Sequence, residues 1–335
     1  MRASGGQKHK IIVWGGFWDG RRSLLTASEL NSHASVTCFF LTQALQSEFG
    51  VVQISGFHAI EDALQHQDAV AVLSTFQAGF TRLYEDDPVT FGRLKSAFGS
   101  RLMSLIDFVS LKRYQETQLF TVLPPRNNLK QILKHRFAAK HVNWMGWCAS
   151  SEYCRPVATD RFQVFVDHAN YGGEDHSQTI FNALSHICNS GSVPELDMAV
   201  QTNNGIETWS SDRNFPDFDF QRTSKVSWLD MQAAYGRSSL FVVTHRESAG
   251  LAVIEAAMAG ARIIVPKKNG SPFINDALLS TGIDYIIAEC DEHSLATTIA
   301  RELTSGVDRA LNHKRLATTH DWTVGARRIK EVLTG

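Results

Sequence analysis

Short apolar runs without alternation recur along the chain, separated by stretches with helical spacing. The clearest runs are KIIVW (Lys10–Trp14), DAVAVLS (Asp68–Ser74), FQVFV (Phe162–Val166), LFVVT (Leu240–Thr244) and ARIIVP (Ala261–Pro266). Such runs read as strands covered on both faces, the pattern of a parallel sheet. Further short strands are expected at 51–55, 102–109, 119–124, 197–201, 225–229 and 285–288. Helical spacing marks 35–49, 59–67, about 81–98, 128–141, 178–189, 230–238, 292–304 and 321–333. Strand and helix thus alternate, which predicts an α/β fold with doubly wound sheets.

Leu240–Pro266 holds the chain's most informative pattern. LFVVT, a segment of helical length and ARIIVP follow one another so closely that they form one βαβ unit with a right-handed crossover. Leu251, Ile254 and Met258 give the helix its apolar stripe, and Gly260 stops it. Glu247 falls in the loop at the carboxyl end of the first strand, where ligands of open α/β sheets bind. Ser248, Ala249, Gly250 and Leu251 then open the helix, and small residues there let free backbone N–H groups approach an anion. Glu255 lies beside the stripe. It is either a carboxylate awaiting a partner, for which the hydroxyls of a ribose or sugar would serve, or a surface Glu helped by the helix N-terminus.

ESAGLAVIEAAMAGARIIVP resembles the E-x(7)-E signature of retaining glycosyltransferases of the GT-B fold, the family 4 or "group 1" class. The resemblance implies two Rossmann-like doubly wound domains facing a central cleft, with 1–155 binding the acceptor and 156–335 binding a nucleotide-sugar donor. It also implies a terminal helix, about 321–333, packing back across the domains. By resemblance Glu247 is the catalytic residue and contacts donor-sugar hydroxyls. The Ser248–Leu251 backbone holds the diphosphate, and Glu255 binds the nucleotide ribose. Gly15 and Gly16, directly after the first strand, resemble the glycine loop that faces the donor phosphates; a dinucleotide-binding protein could begin the same way, but no G-x-G-x-x-G follows. The chain departs from the family after Phe162–Val166. Asp167 and His168 stand where relatives carry Gly-Arg, and no Lys follows, so the diphosphate cations are expected from His168, Arg246 or the Lys267–Lys268 pair. The first domain also lacks the His that relatives carry near TFQAGF (75–80).

Composition narrows the class. The 335 residues, 43% hydrophobic and 20% charged, suit two globular domains with their own cores. A net charge of −1 provides no field for non-specific nucleic-acid binding. Charge is uneven, however: 1–160 carries 17 basic and 13 acidic residues, and 161–335 carries 16 and 21. The basic helix at 128–141 accounts for part of this. Such a helix can lie on an anionic membrane or face an anionic acceptor, although a solvated surface helix is the plainer reading. Five cysteines without zinc-type spacing fit reduced thiols in a cytoplasmic protein, with Cys148 and Cys154 the one close pair. Neither a signal peptide nor a membrane span is expected. Trp147–Asp160 loses periodicity and reads as the interdomain linker, and 206–222 as an irregular insertion.

The expectation is therefore a metal-independent, cofactor-free glycosyltransferase acting on a glycan, glycolipid or small molecule with retention. A nucleotide-sugar epimerase or phosphorylase on the same fold is the alternative, as is a non-catalytic nucleotide-sugar-binding module.

Overall fold

The computed structural model describes residues 8–15, 27–30, 33–55, 59–74, 80, 83, 87–106, 118–121, 142–144, 148–166, 176–193, 195–202, 205–210, 226–245, 250–274 and 282–335. Several expectations lie outside these residues: Gly16, the 128–141 helix, His168, Arg246, Glu247, Ser248 and Ala249. The chain divides into two compact units, Met1–Cys148 with Trp322–Gly335, and Ala149–Asp321.

The first unit is built on a parallel sheet of β1 (Lys10–Gly15), β2 (Gly50–Ser55), β3 (Ala71–Ser74), β4 (Leu102–Ile106), β5 (Gln118–Thr121) and β6 (Val142–Trp144). Their order is β2-β1-β3-β4-β5-β6, so the winding reverses between β1 and β3. Alternate residues serve opposite faces of this sheet. Ile12, Trp14, Ile54 and Val72 join a core with α2 (Ile60–Leu64) and α3 (Pro88–Phe98), whose start Asp87 caps by accepting from the Thr90 N–H at 3.0 Å. Ile11 and Val13 are buried toward the other face, where α1 (His33–Glu48) meets β1 and β2.

In the second unit β7 (Phe162–Val166), β8 (Leu196–Thr202), β10 (Leu240–Val242), β11 (Arg262–Lys268) and β13 (Tyr285–Glu289) are parallel. The antiparallel strands β9 (Gly205–Ser210) and β12 (Ser271–Pro272) complete the order β12-β11-β10-β7-β8-β9, with β13 beside β11. Val164, Val166, Met198, Val200, Leu240, Val242 and Ile264 pack with α4 (Ser177–Ser190) and α7 (Glu292–Ser305). On the opposite face Phe165 stacks on Phe241 at 5.7 Å and 6°, and Tyr235 of α5 (Trp228–Arg237) closes on both rings edge-on. This accounts for the unbroken hydrophobicity of the central runs, since both faces are covered. Next come α6 (Leu251–Met258), α8 (Arg309–His320) and α9 (Trp322–Thr334). The last of these packs on α1 within the first unit, with Lys330 Nζ 2.6 Å from Glu48 Oε2.

Four expectations need correction. Ala149–Asp160 is not a linker but part of the second unit. The Ala149 N–H donates to His320 O at 2.9 Å, the Ser151 N–H to Asp321 Oδ2 at 2.9 Å and the Val157 N–H to Gly236 O at 2.6 Å. The segment lacks periodicity because helix termini, not a ladder, satisfy its amides. Of the segment 225–229, the described residues 226–229 are not a strand: Ser227 caps α5, accepting from the Asp230 N–H at 3.2 Å. Residues 206–210 are not part of an irregular insertion, since β9 runs to Ser210 as the antiparallel partner of β8, and 211–222 lie outside the described residues. Finally, ARIIVP does not end at Pro266. β11 continues to Lys268 and hairpins into β12, with Pro266 O accepting from the Phe273 N–H at 2.9 Å.

Candidate functional site

The second sheet reverses its winding between β7 and β10, since β8 follows on one side of β7 and β10 on the other. Ligands of open α/β sheets bind at the carboxyl ends of strands at such a reversal. The segments carrying His168 and Glu247 leave from these two adjacent strands, after Val166 and His245 respectively. Strand order alone thus brings the beginnings of both to one place.

Beyond Leu240–Val242 the backbone stays buried through Val243, Thr244 and His245. Gly250 then adopts φ 70° and ψ 30°, the left-handed region that glycine enters without steric cost, and α6 begins at the next residue. As a glycine, Gly250 brings no side chain of its own to this helix start. Its first N–H groups and the positive end of its dipole are therefore of the kind that receive an anion. Leu251 is half-buried, and Val253 to Met258 are buried without interruption, so α6 is enclosed on more sides than a single stripe requires.

Glu255 is the one acid in that run, and only 4% of it is exposed. The solvated alternative is excluded. Its Oε1 accepts from Trp228 Nε1 at 2.8 Å and its Oε2 from Gln232 Nε2 at 2.8 Å. Trp228 and Gln232 stand four residues apart on α5, hence on one face of it, and both present N–H donors. Tyr153 meets the Trp228 ring at 5.4 Å. Cys154 lies close enough that the Glu255 charge adds to burial in raising its thiol pKa well above the ordinary value. A thiol so placed stays protonated and is no nucleophile. All five cysteines are free thiols, as expected of them.

Other expected residues fall at sheet ends. Gly15 closes β1, in register with Ser55, at the carboxyl side of the first sheet's reversal. Lys267 stands in β11 and pairs with Glu289 of β13, its register partner, at 2.7 Å. A diphosphate drawing on that ammonium would have to compete with Glu289.

Sequence reasoning passed over His176, Thr244, His245 and Phe273. The His176 N–H donates to Thr244 O at 2.8 Å, and its ring stacks on Phe273 at 5.0 Å and 26°. His245 Nδ1 lies 3.2 Å from Thr244 Oγ1. Two histidines therefore stand at the carboxyl end of β10. The available signal was that both border loops of strands flanking the reversal. Among the described residues no three or more His, Cys, Asp or Glu are grouped to hold a metal ion, and no helix is long and apolar enough to cross a membrane.

No family model and no curated protein matches this sequence. In three dimensions the chain is similar to sucrose-phosphate synthase from Thermosynechococcus elongatus, with 10% identity, 97% of this chain and 98% of that one covered, and a TM-score of 0.57. It is similar also to a protein assigned as a UDP-N-acetylglucosamine 2-epimerase from Listeria monocytogenes (11% identity, 96% and 95% covered, TM-score 0.52). A third likeness is to AviGT4, a glycosyltransferase involved in avilamycin A biosynthesis (11% identity, 96% of both chains, TM-score 0.50). At these identities the likeness establishes the fold, which is GT-B.

Proposed function

We propose that this protein is a glycosyltransferase that moves a sugar from a nucleotide-sugar donor to a carbohydrate, glycolipid or small-molecule acceptor. The reading rests on Gly250–Glu255: a left-handed glycine that opens a helix and a buried carboxylate one turn in, both beside the sheet's reversal. Departure of a nucleoside diphosphate develops negative charge, and preorganised amides at a helix N-terminus stabilise it without reorganisation. In this reading the backbone of Ser248, Ala249, Gly250 and Leu251 faces the diphosphate, and Glu255 the ribose. Glu247 grips a donor-sugar hydroxyl. His168, Arg246 or Lys267 supplies positive charge. The second unit takes the donor and the first the acceptor, with Gly15 and Gly16 facing the donor phosphates.

Retention, and independence from metal and cofactor, belong to the same proposal and rest on the E-x(7)-E resemblance. A calorimetric screen of UDP-, GDP-, ADP- and dTDP-sugars tests the core of it: one of them should bind, and transfer to an acceptor should persist in EDTA. A chain that binds none of the four contradicts the proposal. A second reading, nucleotide-sugar epimerisation, is raised by the likeness to the Listeria protein. Incubation with the donor alone separates the two, because an epimerase forms the epimer without any acceptor.

A further inference from the structure

Carbonyls two residues apart face the same edge of a strand. On one edge of β11, Ile264 O accepts from the Val243 N–H at 3.1 Å, and Pro266 O, the next acceptor along, accepts from the Phe273 N–H at 2.9 Å. The opposite edge belongs to β13, where Lys267 O accepts from the Cys290 N–H at 2.9 Å. In a continuing parallel ladder the residue two beyond Val243 would serve Pro266. β12 stands in that lane instead. It is turned back by Asn269 (φ 55°) and Gly270 (φ 75°), the two left-handed residues that a tight hairpin asks for. The chain leaving β10 must therefore quit the sheet after Val243.

His176 receives it. Thr244 O accepts from the His176 N–H at 2.8 Å, while His176 O accepts from the Ile180 N–H at 3.2 Å and so opens α4. The backbone of His176 is thus held between the end of β10 and the first turn of α4. Its ring lies on Phe273, with centroids 5.0 Å apart and planes 26° from parallel, and Phe273 is only 2% exposed. One residue therefore joins three segments at the carboxyl end of the sheet: the one entering α4, the one leaving β10 and the hairpin that displaced it. Neither the helix start nor the hairpin turn needs the ring contact for its own hydrogen bonds.

We infer that His176 and Phe273 are positioning residues. Their stack sets where the chain leaves β10, and with it the segment carrying Glu247, two residues beyond His245, so the β11–β12 hairpin governs turnover through that segment. The catalytic consequence rests on the donor reading above; the placement of the chain does not.

The experiment compares the full-length wild type with His176→Ala, Phe273→Leu, the double variant and His176→Phe. His176→Ala removes the ring but keeps the N–H that Thr244 uses, so it carries the test where Phe273→Leu fails to fold, and thermal melts identify folded preparations. Hydrogen exchange needs no substrate. Amides of 244–250 should exchange about tenfold or more faster in His176→Ala and Phe273→Leu, with those of β7 unchanged. With the nucleotide-sugar that the wild type uses, kcat should fall about tenfold or more at a donor KM within about twofold, because misplacing a reacting geometry costs rate rather than binding. The double variant should be no worse than the poorer single one. His176→Phe keeps a stacking ring and should restore most of both measures. Unaltered exchange of 244–250 in the folded variants overturns the inference. So does faster exchange at unchanged turnover per folded molecule, losses that multiply in the double variant, or a His176→Phe as impaired as His176→Ala. A wild type that transfers no sugar from UDP-, GDP-, ADP- or dTDP-sugars overturns the donor reading, and the exchange of 244–250 then decides alone whether the stack places the chain.

Discussion

Glu247 and Glu255 stand eight residues apart in one signature, yet the proposal asks different things of them. Glu255 is embedded between α5 and α6 with a donor on each oxygen. Glu247 is asked to orient a reacting sugar, a task in which charge counts for more than volume. Replacing Glu247 with Gln should therefore lower turnover about tenfold or more, at roughly 1.4 kcal/mol per decade, with an unchanged melting temperature. A variant that melts early but keeps its turnover per folded molecule would show a supporting residue instead. Gly260 obeys a different rule. It has φ 95°, and a Cβ there would lie 2.7 Å from the Arg309 carbonyl oxygen. Gly260→Ala should cost about 1–3 kcal/mol from backbone strain alone, read as a lower denaturation midpoint. The stop at Gly260 was legible because glycine after an apolar helix has few other uses. The partners of Glu255 were not. Trp228 and Gln232 lie more than twenty residues upstream, and only the packing of α5 on α6 brings them to it.

At the scale of elements, the buried strands were the most legible part of the molecule. Phe162–Val166 stands as the pattern drew it, because from Gln163 on every residue is buried and the one polar side chain interrupts the apolar run only once. Elements governed by caps or hairpins were harder. KVSWL reads as apolar alternation, but the Ser227 hydroxyl wins and starts a helix. Helix α8 escaped notice because its buried side includes Asn312 and His320 beside Leu316, a stripe too polar to stand out. Its first residue nonetheless joins three elements. The Arg309 guanidinium donates to Val157 O at 2.9 Å and to Ala259 O at 3.5 Å, and also to Gly236 O, so it serves the carboxyl ends of both α5 and α6. Burial lowers the pKa of this arginine, yet helix termini offer the partial negative charge that keeps it there. Arg309→Met keeps much of the stem and leaves those carbonyls without a donor. We expect a loss of about 2–3 kcal/mol, with the melting temperature falling accordingly. A variant as stable as the wild type would show that water serves the carbonyls equally well.

For the whole molecule, the division into two α/β units follows from the chain's length and the recurrence of its strands, and the GT-B fold accords with it. The composition of Trp147–Asp160 hid the place of the division. Loop-like residues at Ala149–Asp160 are held by backbone hydrogen bonds, and the change of unit falls between Cys148 and Ala149. The chain crosses again between Asp321 and Trp322, which returns α9 to the first unit. There the Lys330 hydrogen bond holds the Glu48 carboxyl below its ordinary value of 4.5, against the opposing effect of burial. A carboxyl with a lowered folded value contributes stability above its unfolded value and loses it as the pH falls through the folded one. Lys330→Met should thus be less stable than the wild type at neutral pH, by at most about 1 kcal/mol for so exposed a pair. The difference should fade below about pH 4. A gap that persists in acid would assign the effect to the lysine's apolar stem. The return of α9 also has a temporal side. A ribosome releases the first unit's sheet early, but the helix that covers α1 emerges only after all of 149–321 has been made. The unit begun first is therefore finished last, and during elongation the apolar side of α1 is the surface on which a nascent-chain chaperone would act.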